Sequence, residues 1–355
     1  MEKIYQIAVV GFGGMGGNHV KQLAKGNVRA RVCGIFDIDP ARAQAAREQS
    51  LSVYPTLEAV LADPKVDVVV VAVPNDRHRE IAIAALRAGK HVLCEKPATV
   101  HAWELEEMMA VAAECGRLLT IDQNRRVNRD YVLMRREVES GVIGTPYLIE
   151  TRVEGSRGMP AGWRTSKAQG GGMMLDWGVH LIDQLLYMNP SPVVEVYCRM
   201  HSLRYAEVDD NFHLRLRFAD GLDAIVEVAT NHFIKHPRWL VYGTEGSLQI
   251  DDWDCIGRVV KCLSREDTWA TEIRADKAGP SKTMAARSPD SVEIRELSAP
   301  SDVVDNIDPT YVQLIDAIEG KAELTIKPTE ALRVMKVMEA ALASWEEHKV
   351  IQVEI

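Results

Sequence analysis

The feature that most constrains this chain is a run of glycines, Gly11-Phe12-Gly13-Gly14-Met15-Gly16, set behind a short apolar segment and ahead of a helical one. Ile4 to Val10 reads as a strand buried on both faces, and Met15 to Lys25 as a helix. The G-x-G-x-x-G spacing joins the two. In such a junction Gly11 permits the tight turn, Gly13 lets backbone approach a pyrophosphate, and Gly16 lets helix lie close on strand. The helix N-terminus adds unpaired N–H groups and a positive dipole end. A second strand, Arg31 to Phe36, ends at Asp37. That acid stands about 20 residues past the glycines, where a carboxylate accepts hydrogen bonds from a ribose. A dinucleotide is therefore expected on Gly11 to Gly16 and Asp37. The charge of Asp37 would repel a 2′-phosphate and so favours NAD over NADP. Arg42 is the counterweight, since it could turn toward such a phosphate.

The alternation continues. Pro40 to Gln49 reads as a helix with proline in its first turn, and Thr56 is placed to cap a short helix over Leu57 to Ala62. Val66 to Val73 is the strongest strand pattern. Helices over Arg79 to Ala88 and Trp103 to Cys115 stop at Gly89 and Gly116. Between and after them lie strands at His91 to Cys94 and Leu118 to Ile121. This βαβα order implies an α/β Rossmann domain, a parallel sheet with helices on both faces, over residues 1–122.

Past Gln123 the pattern changes. A helix over Asp130 to Glu139 precedes strands at Tyr147 to Glu154, Val193 to Met200, Phe212 to Phe218, Leu222 to Ala229, Trp239 to Tyr242 and Ser247 to Ile250. Phe212, Leu214, Leu216 and Phe218 alternate with His213, Arg215 and Arg217, so one face is buried and the other polar. Asp220-Gly221 marks a hairpin. Ala275 to Asp290 reads as a polar loop, and helices follow over Pro309 to Ile318 and Pro328 to Glu347. Residues 123–355 are thus expected to form an α+β domain on a large, mostly antiparallel open sheet.

Composition excludes other classes. The net charge of −9 gives no general attraction to nucleic acid or an anionic membrane. No stretch approaches the roughly 18 apolar residues of a membrane span. The first ten residues do not read as a secretory leader. Six scattered cysteines, without a Cys-x-x-Cys pair, read as reduced core residues of a cytoplasmic protein.

Two further motifs carry chemistry. Glu95-Lys96-Pro97 follows a parallel strand, so Lys96 is expected at the crevice where such sheets bind ligands; a surface Glu-Lys turn is the alternative. Gly170-Gly-Gly-Met-Met-Leu-Asp-Trp-Gly-Val-His180 places Asp176 and His180 four residues apart, on one face of a helix running to about Tyr187. The pair can orient hydroxyls and accept a proton, or His180 can be a satisfied core histidine. No third ligand accompanies them, so no metal is expected.

Gly11-x-Gly13-x-x-Gly16, Glu95-Lys96-Pro97 and Asp176-x-Gly178-x-His180 together resemble the glucose–fructose oxidoreductase, inositol dehydrogenase and MocA (Gfo/Idh/MocA) family, along the whole chain and in the same order. The resemblance implies an NAD(P)-dependent oxidoreductase of sugars, cyclitols or their derivatives. It implies that Lys96 and His180 are catalytic, with Asp176 beside them on the substrate, and that Glu95 and Lys96 border the cofactor. Asn75 and His78 resemble residues lining the nicotinamide ribose. Asn124 and Arg125 occupy the family's segment at the domain junction, towards cofactor and substrate respectively. Trp163-Arg164 resembles a pair that approaches cofactor or substrate. The family's open sheet implies a homodimer or homotetramer.

The expected reaction moves a hydride between a secondary carbinol carbon and the nicotinamide. His180 takes the hydroxyl proton and Lys96 stabilises the oxygen. Two alternatives share the motifs: an NAD-dependent glycosidase working by transient oxidation and elimination, and a non-catalytic NAD-binding regulatory protein.

Overall fold

The computed structural model describes residues 2–264, 273–276, 279–282, 287–303 and 306–355. The first layer begins with β1 (Tyr5–Val10), α1 (Gly14–Leu23), β2 (Ala30–Phe36), α2 (Pro40–Glu48) and α3 (Leu57–Ala62). It continues with β3 (Val68–Val71), α4 (His78–Arg87), β4 (His91–Cys94), α5 (Ala102–Cys115) and β5 (Leu119–Ile121). The five strands form one parallel sheet in the order β2-β1-β3-β4-β5. Val68 to Val71 are wholly buried, as expected of a central strand covered on both sides. Local chemistry sets the helix ends. Thr56 accepts a hydrogen bond from the Ala59 N–H at 3.2 Å, and Gly116 takes the left-handed conformation (φ 59°) that closes α5. Strand order reverses between β1 and β3, and the crevice beyond their carboxyl ends is where sheets of this kind bind ligands.

The second layer has α6 (Arg129–Glu139), β6 (Pro146–Glu154), α7 (Val179–Met188), β7 (Val193–His201), β8 (Asn211–Phe218), β9 (Asp223–Ala229), β10 (Trp239–Gly243), β11 (Gly246–Ile250) and β12 (Gly257–Cys262). It ends with β13 (Ile273–Asp276), β14 (Gly279–Lys282), β15 (Val292–Leu297), α8 (Asp308–Ile318), α9 (Pro328–Glu347) and β16 (Ile351–Gln352). Nine strands form a sheet in the order β15-β12-β11-β10-β6-β9-β8-β7-β16, antiparallel except for β6 against β9. Helices α6, α7 and α9 cover one face. His213, Arg215 and Arg217 of β8 project from the other.

Three differences from the sequence expectation have physical causes. Strands β12, β15 and β16, not expected from the sequence, are short and lie toward the edges of the sheet, and the middle of β15 is exposed. Within the stretch read as a loop over 275–290, residues 277–278 and 283–286 lie outside the described residues, while β13 and β14 pair as an antiparallel ribbon. The third concerns α8. Ile307, Tyr311, Leu314 and Ile315 pack into the core of the first sheet with Ile7, Val9, Val20 and Leu23. Arg29 holds Glu319 through two 2.7 Å bonds. A boundary at residue 122 therefore divides the sequence but not the packing, because the chain returns from the second layer to complete the first. Among the described residues no helix is long and apolar enough to cross a membrane.

Candidate active site

The glycine turn opens onto the crevice. A Cβ on Gly11 (φ 93°) would lie 2.3 Å from the Ala72 carbonyl oxygen, and one on Gly16 would lie 1.9 Å from that of Gly11. Both positions are closed to any side chain. Beyond them the turn is open: among the described residues nothing lies within 4 Å of a Cβ on Gly14, and only the guanidinium end of Arg42 approaches Gly13. Helix α1 has no side-chain cap and no acid in its first turn, so its first N–H groups face the crevice uncompensated. This cradle fits a dinucleotide diphosphate. Asp37 braces it: its Oδ2 accepts from the Phe12 N–H at 2.7 Å and its Oδ1 from the Asp39 N–H at 2.8 Å. Arg42 stands 3.8 Å from the same carboxylate.

The end of β4 and the segment before α7 bring further expected site residues together. The Lys96–Pro97 peptide after β4 is cis. Lys96 Nζ donates to the Asp176 carbonyl oxygen at 2.8 Å and to its Oδ1 at 3.1 Å. Arg164 Nε donates to Asp176 Oδ2 at 2.9 Å. Burial raises the Asp176 carboxyl, but Lys96 and Arg164 outweigh it and hold it below the usual range. Asp176 does not sit on an α-helix as expected. Met174–Gly178 is a five-residue π-helical turn that leads into α7, and His180 is in the first turn of α7. Such wide turns occur disproportionately at functional sites.

His180 is buried, and its Nδ1 has no hydrogen-bond partner among the described residues. Burial and then the charges of Lys96, Arg125 and Arg238 push its pKa well below 6.5, so the imidazole is neutral. Trp177 meets the His180 ring edge-on at 5.7 Å and lies 5.8 Å from Trp253. Arg125 covers Trp177 at 4.3 Å, and Arg238 covers Trp253 at 4.6 Å. A wall of alternating aromatic rings and guanidinium groups thus borders His180. Trp177, Arg238 and Trp253 were not among the expected site residues. Trp177 lies inside the Asp176–His180 motif and could have been found there. Arg238 comes from the loop just before β10 and Trp253 from the β11–β12 connection, and nothing in their local pattern points to the site.

Two residues expected at the cofactor, His78 and Glu95, are buried and engaged by protein groups. Both ring nitrogens of His78 meet backbone carbonyls: Nδ1 lies 3.0 Å from Pro97 O and Nε2 2.9 Å from Val73 O. The imidazole is spent on joining the ends of β3 and β4. Glu95 Oε1 lies 2.9 Å from His19 Nε2, and Tyr311 meets His19 Nδ1 at 2.8 Å. This buried Tyr311–His19–Glu95 chain backs the turn that presents Lys96, and the sequence offers no local signal for it. Asn75 donates to the Gly170 carbonyl at 2.8 Å, tying the end of β3 to the glycine run. Asn124 donates to Asp122 at 3.3 Å. Trp163 lies under the Arg164 guanidinium at 4.5 Å. Phe12 and Met15 remain within the turn and first helical residues.

Glycine positions this machinery. A Cβ on Gly172 (φ 103°) would meet Asp209 Oδ1 at 2.2 Å. Asp209 Oδ2 accepts from the Met174 N–H at 2.7 Å, and its backbone carbonyl accepts from Met173 at 3.0 Å. The buried carboxylate thereby anchors the start of the π turn.

Comparison with known proteins agrees with this architecture. Residues 5–123 match the model of an oxidoreductase family with an NAD-binding Rossmann fold, and residues 131–249 match that of the GFO/IDH/MocA C-terminal domain. An NAD-binding protein from Listeria innocua superposes with a TM-score of 0.88 at 39% identity, covering 99% of this chain and 97% of that one. An uncharacterized oxidoreductase of Schizosaccharomyces pombe is 30% identical over 85% of this chain and 86% of its own length. The scyllo-inositol 2-dehydrogenase (NADP(+)) of Bacillus subtilis is 28% identical over 84% and 82%. With both halves matched, the chain belongs to the Gfo/Idh/MocA family of oxidoreductases with an NAD-binding Rossmann fold.

Proposed function

We propose that this protein is an NAD-linked dehydrogenase of a secondary hydroxyl on a sugar, cyclitol or sugar derivative, with Lys96, Asp176 and His180 at the reacting carbinol. The observation that carries the reading is the convergence of an ammonium, a carboxylate held ionised and a neutral imidazole beside the glycine cradle. The nicotinamide, when bound, supplies the hydride acceptor.

The chain's own groups do the rest. Lys96 Nζ spends two N–H groups on Asp176, which leaves a third for the substrate oxygen. That donor stabilises the charge developing on the oxygen as its proton leaves. The imidazole of His180, kept neutral by its surroundings, accepts that proton. Asp176 uses one oxygen on Lys96 and the other on Arg164, and each can still accept from a neighbouring hydroxyl. The Trp177–Trp253 wall offers apolar faces to the C–H side of a ring, and Arg125 lies at the same wall. The cyclitol class is supported by the Bacillus subtilis relative, whose name gives scyllo-inositol and NADP. Asp37, fixed at the end of β2 by two backbone N–H groups, supports NAD for this chain. The open face of the nine-stranded sheet supports a homodimer or homotetramer. Six free cysteines support a cytoplasmic setting.

The experiment is a panel of cyclitols, aldoses and glycosides screened with NAD and NADP for nicotinamide absorbance. One substrate class should reduce NAD. Lys96→Ala and His180→Ala should each lose about 10²–10⁴-fold in turnover while still binding NAD. Near-wild-type turnover in both variants would overturn the assignment. Cleavage of an aryl glycoside without net NADH would replace it with the glycosidase.

A further inference from the structure

A second cluster of ionisable groups lies on the open side of the large sheet and plays no part in the chemistry above. Glu154 ends β6, and the loop between β9 and β10 folds back over it. The His232 N–H in that loop donates to the Gly155 carbonyl at 2.8 Å. The His236 N–H donates to Glu154 Oε2 at 2.6 Å. Both imidazoles then aim at the other carboxylate oxygen: His232 Nδ1 and His236 Nδ1 each lie 3.0 Å from Glu154 Oε1. The three atoms fall within 4.8 Å of one another. The Glu154 side chain is 2% exposed, while His232 and His236 are 29% and 58% exposed. The carboxylate forms the floor and the rings form the rim. Burial raises the Glu154 carboxyl, but His236 and His232 outweigh it and hold it below the usual range.

We propose that Glu154, His232 and His236 form a binding site for a divalent ion of the zinc class. Two imidazole nitrogens and one carboxylate oxygen suit Zn²⁺, Co²⁺ or Ni²⁺ rather than the oxygen-seeking Ca²⁺ or Mg²⁺. A tetrahedral ion with bonds of about 2.0–2.1 Å sets its ligand atoms roughly 3.3 Å apart. The two 3.0 Å separations need only a few tenths of an ångström of opening, and the movement falls on solvent-facing rings. The carboxylate is already oriented through its second oxygen by the His236 N–H, as metal-bound carboxylates commonly are. Three protein ligands leave one coordination position for a further ligand. The neighbouring His213 is engaged elsewhere, with Nδ1 3.1 Å from Glu227, and lies outside the site. The ion would clasp the 230–238 loop to the end of β6. That loop carries Phe233 and Ile234 at its tip, 80% and 83% exposed. The sequence expectation of no metal rested on Asp176 and His180 lacking a third ligand; here floor and rim come from segments 78 residues apart.

The test is calorimetric titration of chelator-treated protein with zinc chloride at neutral pH. Wild type should bind one equivalent saturably. Glu154→Gln, His232→Ala and His236→Ala should each weaken binding by about tenfold or more, as loss of a ligand requires. His213→Ala should bind as wild type does. Because His236 is exposed, its variant should keep the metal-free melting temperature of the wild type but lose the rise that zinc produces. Absence of a saturable equivalent in wild type overturns the site. So does unaltered zinc binding in the three ligand variants, or loss of binding in His213→Ala.

Discussion

At the scale of single residues, the surroundings of His180 set its state of charge. His180 would titrate near pH 6.5 in water. Buried beside Lys96, Arg125 and Arg238, it stays neutral to a much lower pH. A base must be neutral to accept a proton, so with His180 in the proposed role activity should be retained as pH falls through 6.5 and be lost only well below it. The acid limb of a kcat/KM profile should therefore lie well under the ordinary histidine value, and Arg125→Gln should move it upward by removing one of the three charges. A limb at or above 6.5 in the wild type would exclude His180 as the base. The residue types at this site were legible in the sequence, because Gly11 to Gly16, Glu95 to Pro97 and Asp176 to His180 are contiguous motifs. Their states of charge were not, because Arg125 and Arg238 reach His180 only through space.

At the scale of elements, the π turn Met174–Gly178 carries Asp176 to Lys96, and Asp209 anchors that turn. Burial pushes the Asp209 carboxyl up to about 7, against the pull of the Met174 N–H. The folded state then binds a proton that the unfolded chain releases near the ordinary value of 3.8. The linkage runs one way. This contribution to stability is full below 3.8 and is lost as pH rises through about 7. Asp209→Asn keeps an acceptor for Met174 and carries no charge. Its melting temperature should lack this decline, so that it gains on the wild type between mildly acidic and mildly alkaline pH. Parallel Tm profiles for the two proteins would exclude a buried, proton-linked carboxyl at this position. The sequence marked Gly170 to Gly172 as special but contained no sign of Asp209, which arrives from the approach to β8. Strands β15 and β16 were also passed over, although Val292-Glu-Ile294-Arg295 and Ile351-Gln-Val353-Glu-Ile355 do alternate, because such short runs name no partner strand.

For the whole molecule, the decisive feature is how the two layers are joined. Arg126, just past β5, is buried and makes a two-pronged contact with Asp183 of α7 at 2.6 and 2.8 Å. Its third nitrogen bonds Glu330 of α9 at 2.6 Å. Arg126→Ala leaves Asp183 buried without its partner and should cost about 3–5 kcal/mol in urea unfolding. Arg126→Lys should recover little of it, because an ammonium cannot reproduce the planar fork. A loss under about 1 kcal/mol would show that the pair is no more than a surface-type bridge. The return of α8 to the first sheet joins the layers a second time, and through Tyr311 and His19 it reaches Glu95 behind Lys96. By itself the sequence determined the parallel first layer, the glycine cradle, the mostly antiparallel second layer and the motifs bearing Lys96, Asp176 and His180. These follow from periodicity and turn chemistry, which act over a few neighbouring residues. Only the tertiary structure decided that α8 belongs to the first core, that Glu95 and His78 are buried and engaged by protein groups, that Arg238 and Trp253 border His180, and that Glu154 meets His232 and His236. Each of these is a distance between segments far apart in the chain, and charge, burial and hydrogen bonding act through distance in space.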